Sequence, residues 1–141
     1  MPPAGIIDTG AIVAILDAHS EWHTACLHAL AAVRLPVMTT EAVLTELFHL
    51  IAARDLNIHT AWRFVLSGVL TVRPVADSDL PTIHALMVQY ADRPMDFADA
   101  TLVHLAARES LSLILTIDHD DFETYSIKGR KKFTILPTRR R

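Results

Sequence analysis

Asp96 and Asp99 stand three residues apart in the stretch Asp92-Arg-Pro-Met-Asp-Phe-Ala-Asp-Ala-Thr-Leu-Val-His-Leu-Ala-Ala-Arg108. That spacing puts both carboxylates on one side of a helix start. Pro94 breaks whatever helix precedes it, Asp96 can cap a new one over Phe97–Glu109, and Asp99 falls in its first turn. Helix starts favour acids electrostatically, so a cap and a first-turn acid would by themselves account for the pair. The surroundings set it apart, because Phe97, Ala98, Ala100, Leu102 and Val103 are small or apolar. An acid beside a buried stripe needs a cation, a set of hydrogen bonds or a raised pKa.

Other acids occupy comparable positions. Asp8 ends the apolar run Ala4-Gly-Ile-Ile, and Thr9-Gly10 then open a short helix over Ala11–Leu16. Asp118 follows the strand-like run Ser112-Leu-Ile-Leu-Thr-Ile117, with Asp120 and Asp121 close behind. Glu46 falls near the stripe Val43, Leu44, Leu47, Leu50 and Ile51 of a helix expected over Glu41–Ala53, which Thr39 or Thr40 can cap. Plainer roles stay open: Asp8 or Thr9 as the next helix's cap, Glu46 as an exposed edge residue. Acids at the carboxyl ends of buried strands, however, lie where open α/β sheets place ligands. Carboxylates brought together without Lys or Arg cannot all ionise unless a cation intervenes. Oxygen-only ligands suit Mg²⁺ or Mn²⁺ and not zinc. Such a site supports attack of water on a phosphodiester, the metal orienting and acidifying the water and screening the phosphate.

The elements that must position these acids follow from the pattern. Strand-like runs near residues 4–8, 36–39, 69–73, 112–117 and 133–136 alternate with helical stretches at 22–33, 41–53, 60–66, from 77 to about 91, and 97–109. The expected fold is α/β, a three-layer α/β/α sandwich with a mostly parallel sheet. There is no GxGxxG and no GxxxxGK[ST], so a dinucleotide fold and a P-loop are poor readings. No CxxC pairing offers structural zinc, and His19, His23 and His28 show no ligand spacing. The single cysteine, Cys26, sits among apolar neighbours as a small core residue.

The 141 residues, 51% hydrophobic and 21% charged, fit one domain with no linker. No membrane-length apolar run and no basic leader at Met1-Pro-Pro are visible, and a cytoplasmic protein is expected. The net charge of −3 conceals an uneven distribution. Residues 1–122 carry 15 of the 16 acids and 6 of the 13 Lys and Arg, so a body at −9 precedes an end at +6. A basic tail over about 128–141, with Lys128, Arg130, Lys131 and Lys132, could line the groove mouth and hold phosphates, or simply be a solvated turn around Gly129.

Ile6-Ile-Asp8-Thr9, Thr40-Glu41-(4)-Glu46-Leu47, Asp96-Phe-Ala-Asp99-Ala100 and Thr116-Ile-Asp118-(2)-Asp121-Phe122 together resemble the motifs of PIN-domain ribonucleases. Within that superfamily the chain most resembles the VapC toxins of type II toxin–antitoxin pairs. The resemblance extends through Phe122-Glu-Thr-Tyr-Ser-(4)-Lys-Lys-Phe133. It implies Asp8, Glu46, Asp99 and Asp118 as the catalytic, metal-holding acids, with Asp96 and Asp121 as accessory carboxylates. It also implies a Mg²⁺-dependent endoribonuclease, with tRNA or rRNA as targets, a homodimer, and a cognate antitoxin protein as partner. The family commonly has a hydroxyl residue two places beyond the first acid, where this chain has Gly10. Thr9 and Thr116 remain to supply a hydroxyl, or the glycine lets the backbone approach a phosphate or metal closely.

Two other readings compete with this one. A catalytically idle PIN-fold module that binds RNA or protein is expected to have lost one or more of these acids. A phosphatase with an aspartyl nucleophile would need an acid where Gly10 stands and a lysine in the middle of the chain.

Overall fold

The computed structural model describes residues 4–139. Its first half runs β1 (Ala4–Ile7), α1 (Thr9–Leu16), α2 (His23–Ala31), β2 (Arg34–Thr40), α3 (Glu41–Ala53), α4 (Ile58–Leu66) and β3 (Leu70–Arg73). A 3₁₀ turn at Asp77–Asp79 then leads into α5 (Leu80–Gln89), α6 (Phe97–Arg108), β4 (Leu113–Leu115), α7 (His119–Thr124), β5 (Ser126–Ile127), β6 (Lys131–Lys132) and β7 (Thr134–Leu136). Five strands form one sheet in the order β3-β2-β1-β4-β7, every neighbouring pair parallel. β5 and β6 pair separately as a short antiparallel hairpin.

Consecutive strand residues point to opposite faces. Ile6 and Ile7 are both fully buried, as are Ile114 and Leu115, so both faces of the sheet are covered by helices. This is the three-layer α/β/α arrangement. Gly5 lets β1 and β4 approach, because a Cβ there would lie 2.9 Å from the Leu113 carbonyl oxygen.

Two helices carry the interior. In α3, Val43, Leu47 and Ile51 recur at four-residue spacing and are buried, and the Thr40 hydroxyl accepts from the Val43 N–H at 3.4 Å as cap. In α6, seven of twelve residues are buried. Its composition of Ala98, Ala100, Leu102, Val103, Leu105 and Ala106 suits a helix enclosed on most sides. The buried hydroxyls of Thr40 and Thr101, 2.8 Å apart, tie the start of α3 to α6.

The structure extends or corrects several expectations. α1 begins at Thr9, and α4 begins at Ile58 because the Asn57 side chain accepts from the N–H groups of His59 and Thr60. α7 and the β5–β6 hairpin are additions to the expected elements. The expected basic tail is largely folded: β6 and β7 lie within it, and Arg139 bonds to Asp120 and Glu123. The stretch Met1–Pro3, where a leader would start, and the last two arginines lie outside the described residues. Among those described, no helix is long and apolar enough to cross a membrane.

Candidate active site

The chain lays β1, β2 and β3 outward in one direction and then returns to add β4 and β7 on the other side of β1. The crevice at the carboxyl ends of β1 and β4 is therefore the switch point, where α/β sheets bind ligands. Asp8 leaves β1 there, and Asp118 follows β4 by a short turn.

Asp8 is nearly buried, and both its oxygens are held. Oδ1 accepts from the Thr9 N–H at 2.8 Å, and Oδ2 accepts from the Thr116 hydroxyl at 3.0 Å. Burial pushes its pKa up to about 6, with those two hydrogen bonds opposing and the charges of Glu46 and Asp118 adding to the rise. The Thr116 hydroxyl in turn accepts from the Asp118 N–H at 3.0 Å, so one buried hydroxyl joins the two strand exits. Asp118 caps α7, accepting from the Asp121 N–H at 3.3 Å. Burial, then the carboxyl of Asp121, pushes it up to about 6.

Asp96 caps α6 by accepting from the Asp99 N–H at 2.8 Å. Asp99 is half-buried and rises to about 8, first through burial and then through the charges of Asp8 and Asp96. The Tyr125 hydroxyl donates to its Oδ2 at 3.2 Å and opposes that rise. Glu46 is raised by burial and by Asp96, while the Thr9 hydroxyl donates to its Oε2 at 3.2 Å.

Asp8, Glu46, Asp96, Asp99, Asp118 and Asp121 all line one open cleft of about 310 Å³, together with Thr9, Gly10, Leu50, Pro94 and Ile117. Thr116 stands behind it, bonded to Asp8. Gly10 has a packing reason: a Cβ there would lie 2.9 Å from Cγ1 of Ile117.

Two expectations need correction. One cation does reach the acids, since Arg93 Nη1 lies 3.1 Å from Asp121 Oδ1. The basic residues do not line the acid cleft. Lys128, Arg130 and Lys131 border a separate cleft of about 280 Å³ with Ala107, Ser110 and Leu111. That is the far end of α6 from Asp96 and Asp99, about 15 Å away at the helical rise per residue. The Lys132 ammonium donates to the Glu123 carbonyl at 3.4 Å. Arg93 and Tyr125 are the site residues that sequence reasoning missed. Their available signals were adjacency to Pro94-Met-Asp96 and a place within the motif that ends at Phe133.

The donor set is all oxygen, and the acids raise one another's pKa, as negative charge without its counter-charge does. Among the described residues, no three His, Cys, Asp or Glu side chains stand at ion-enclosing spacing. Mg²⁺ keeps several waters and needs only one or two direct carboxylates, so an open acid cleft fits a hydrated ion better than a caged one. A cation entering this cleft would meet Asp8, Glu46, Asp99 and Asp118.

The PIN domain family matches residues 6–128. The chain is 27% identical over 135 residues to Ribonuclease VapC26 of Mycobacterium tuberculosis, covering 94% of this chain and 99% of that protein. The crystal structure of VapC20 of Mycobacterium tuberculosis, a sarcin–ricin loop cleaving toxin, is similar in fold. That likeness has a TM-score of 0.73 at 22% identity, over 83% of this chain and 93% of the other. A family match over most of the length, a parallel sheet with the same overall fold and an acid cleft at its switch point agree: the chain belongs to the PIN domain family.

Proposed function

We propose that this protein is a VapC-type endoribonuclease, the toxin of a toxin–antitoxin pair, which hydrolyses RNA phosphodiester bonds with a divalent cation. The observation that carries the reading is the single cleft at the switch point, lined by Asp8, Glu46, Asp99 and Asp118 with Asp96 and Asp121 beside them. Mg²⁺ is the cation proposed, with Mn²⁺ able to replace it, because the ligands are hard oxygens. When bound, the cation supplies the positive charge that lets a phosphate enter a negative cleft and that acidifies water.

The chain's own residues do the rest. Asp8 is fixed through both oxygens and Asp99 through one, so neither needs to reorganise to receive an ion. Glu46, half-buried and with its pKa raised, suits acceptance of the proton from the attacking water, and the Thr9 hydroxyl orients it. The water oxygen bonds to phosphorus as the bond to a ribose oxygen breaks; that oxygen takes a proton from solvent water, and Glu46 returns its proton to solvent.

RNA is the proposed substrate, with structured rRNA or tRNA hairpins as the first targets to test, the sarcin–ricin loop among them. Lys128, Arg130 and Lys131 would contact the RNA backbone away from the cut, not at it. An antitoxin is the proposed protein partner and the cytoplasm the proposed compartment. A homodimer is proposed through α4, where Ile58, Trp62 and Leu66 are 49%, 44% and 76% exposed. Phe64 and Val65 of the same helix pack on the core instead. Light scattering that shows a monomer at tens of micromolar would remove the dimer. The idle-module alternative finds no support in the acid set, which has all four members. The deciding assay is cleavage of structured RNA with Mg²⁺, with Mn²⁺ and with EDTA. Cation-independent cleavage, or none with either ion, sinks the reading.

A further inference from the structure

A second cleft, of about 630 Å³, opens beside the acid cleft and shares Glu46 and Asp96 with it. Its walls are carbon: Ala42, Val75, Leu80, Phe97 and Ala98. Two of these, Leu80 and Phe97, are 44% and 45% exposed although large and apolar. Phe97 directly follows Asp96, so its ring is mounted one residue from an acid of the cleavage site. The polar groups that complete the lining are Glu41 and Thr45, and among the described residues no Lys or Arg lines the cleft. The Thr45 hydroxyl is already donating to the Glu41 carbonyl at 3.1 Å, which leaves its oxygen as an acceptor.

We infer that this cleft is a nucleobase pocket, which takes an unstacked base next to the scissile phosphate and favours guanine. The inference rests on the nuclease reading and adds a specificity site to it. A phosphate is excluded, since Glu41, Glu46 and Asp96 would repel it and no cation of the lining answers it. What suits the space carries no negative charge, is flat, apolar on its faces and rich in donors at its edge. A nucleobase has those properties, and single-stranded RNA is recognised by stacking splayed bases on aromatic rings and bonding their edges. An ionised carboxylate only accepts hydrogen bonds. Guanine offers N1–H and N2–H₂ side by side to one carboxylate, the fork that Glu41 can accept. Adenine and cytosine offer one amino group, and uracil places its single N–H between two oxygens that a carboxylate repels. A second copy of the chain is a poorer occupant, because a two-fold contact here would bring two acid rims together.

The test needs neither metal nor cleavage. Metal-free wild type, Phe97→Ala, Phe97→Tyr, Glu41→Gln and Asp77→Asn are titrated with guanosine and with uridine at millimolar concentration, and shifts are followed by NMR. Asp77, in the exposed 3₁₀ turn outside the cleft, is the control. The expected result is a guanosine-dependent shift of the Phe97 ring and the Ala42 and Val75 methyls, about tenfold weaker with uridine. Phe97→Ala should abolish it, Phe97→Tyr restore it, Glu41→Gln bring the two nucleosides together, and Asp77→Asn leave it unchanged. Equal response to both nucleosides, or none, overturns the inference. So does light scattering in which Phe97→Ala turns a dimer into a monomer while guanosine leaves wild type unshifted, which gives the cleft to a second copy. Failure to cut any RNA sinks the nuclease reading alone, and cutting without these shifts sinks the pocket alone.

Discussion

The hydroxyl of Tyr125 donates to Oδ2 of Asp99 at 3.2 Å, from a ring with no solvent exposure. Residues 26 positions apart are thereby joined at the acid that carries the highest raised carboxyl pKa, about 8. Tyr125→Phe keeps the ring's contacts with Tyr90 and Phe122 and removes the donor. The expected cost is about 1 kcal/mol of stability. With the stabilising bond gone, the Asp99 carboxylate is harder to form, so the pH midpoint for Mn²⁺ or Mg²⁺ binding should move to higher pH. Metal titration at several pH values checks this, and an unmoved midpoint would show that the hydroxyl does not tune Asp99.

Asp99→Asn separates catalysis from folding. Above about pH 8, where Asp99 is ionised, neutralising it relieves repulsion among the crowded carboxylates, so there the metal-free variant should melt at or above the wild-type temperature. Mg²⁺ should stabilise wild type by mass action, and that increment should shrink in the variant. RNA cleavage should fall by orders of magnitude, while Asp96→Asn should do less. A variant that keeps both the increment and near-normal cleavage removes Asp99 as a ligand.

The raised carboxyls fix the sign of the pH dependence. An acid with a higher pKa in the folded state binds its proton more tightly there than in the unfolded chain. Below about pH 4 both states are protonated and nothing is gained or lost. As pH rises from about 4 to about 8, the folded state holds the extra protons, so metal-free stability declines across that window. Saturating Mg²⁺ should flatten the decline, since metal binding displaces those protons. Chemical denaturation at pH 5 and pH 8.5, with and without the ion, measures both slopes. Metal-free stability that increases with pH would contradict the assignment.

Gly10→Ala should be destabilising in one background and favourable in another. The added Cβ meets Ile117 Cγ1 at 2.9 Å, and overpacking of this kind costs about 1–3 kcal/mol. Paired with Ile117→Ala, the clash is gone and alanine's better helix propensity at this position of α1 remains, worth up to about 1 kcal/mol. A double-mutant cycle reads the sign change directly. Additive behaviour would mean that Gly10 is required for something other than the isoleucine.

Alanine at Lys128, Arg130 and Lys131 together should weaken RNA binding without changing the rate of a bound complex. Cations that neutralise phosphates release counterions. The slope of log affinity against log salt should therefore drop by about 0.7 for each single-strand phosphate that is no longer neutralised. An unchanged slope would leave these residues as a solvated turn.

Much of the layout is legible from pattern alone. α3 has the bounds that its apolar stripe and threonine cap define, and the acids at the strand exits share one cleft. What the pattern hides is short or distant in sequence. β5 and β6 have two residues each, too few for any periodicity to register. α7 begins with His119, Asp120 and Asp121 and has Phe122 as the single apolar residue of its six, too little for a periodic stripe to register. Arg93 meets Asp121 across 28 positions, a pairing that only the fold creates. The basic residues lie at the opposite end of α6 from the cleft they were expected to line, because charge reports affinity for phosphate and carries no coordinate.

β7 lies at the edge of the sheet against β4, and just beyond it the Pro137 carbonyl lies 2.8 Å from His119 Nε2 while Arg139 grips Asp120 and Glu123. The helix that follows Asp118 is thus clasped by Pro137 and Arg139. In order of synthesis, every carboxylate of the cleft is made before the segment that holds one of them in place. A nascent chain that has not yet reached Thr134 has its acids but lacks the clasp on α7. A chain cut before Thr134 should likewise carry the full set of acids and cleave poorly. The acid cleft is thereby completed by a segment made after every acid that lines it.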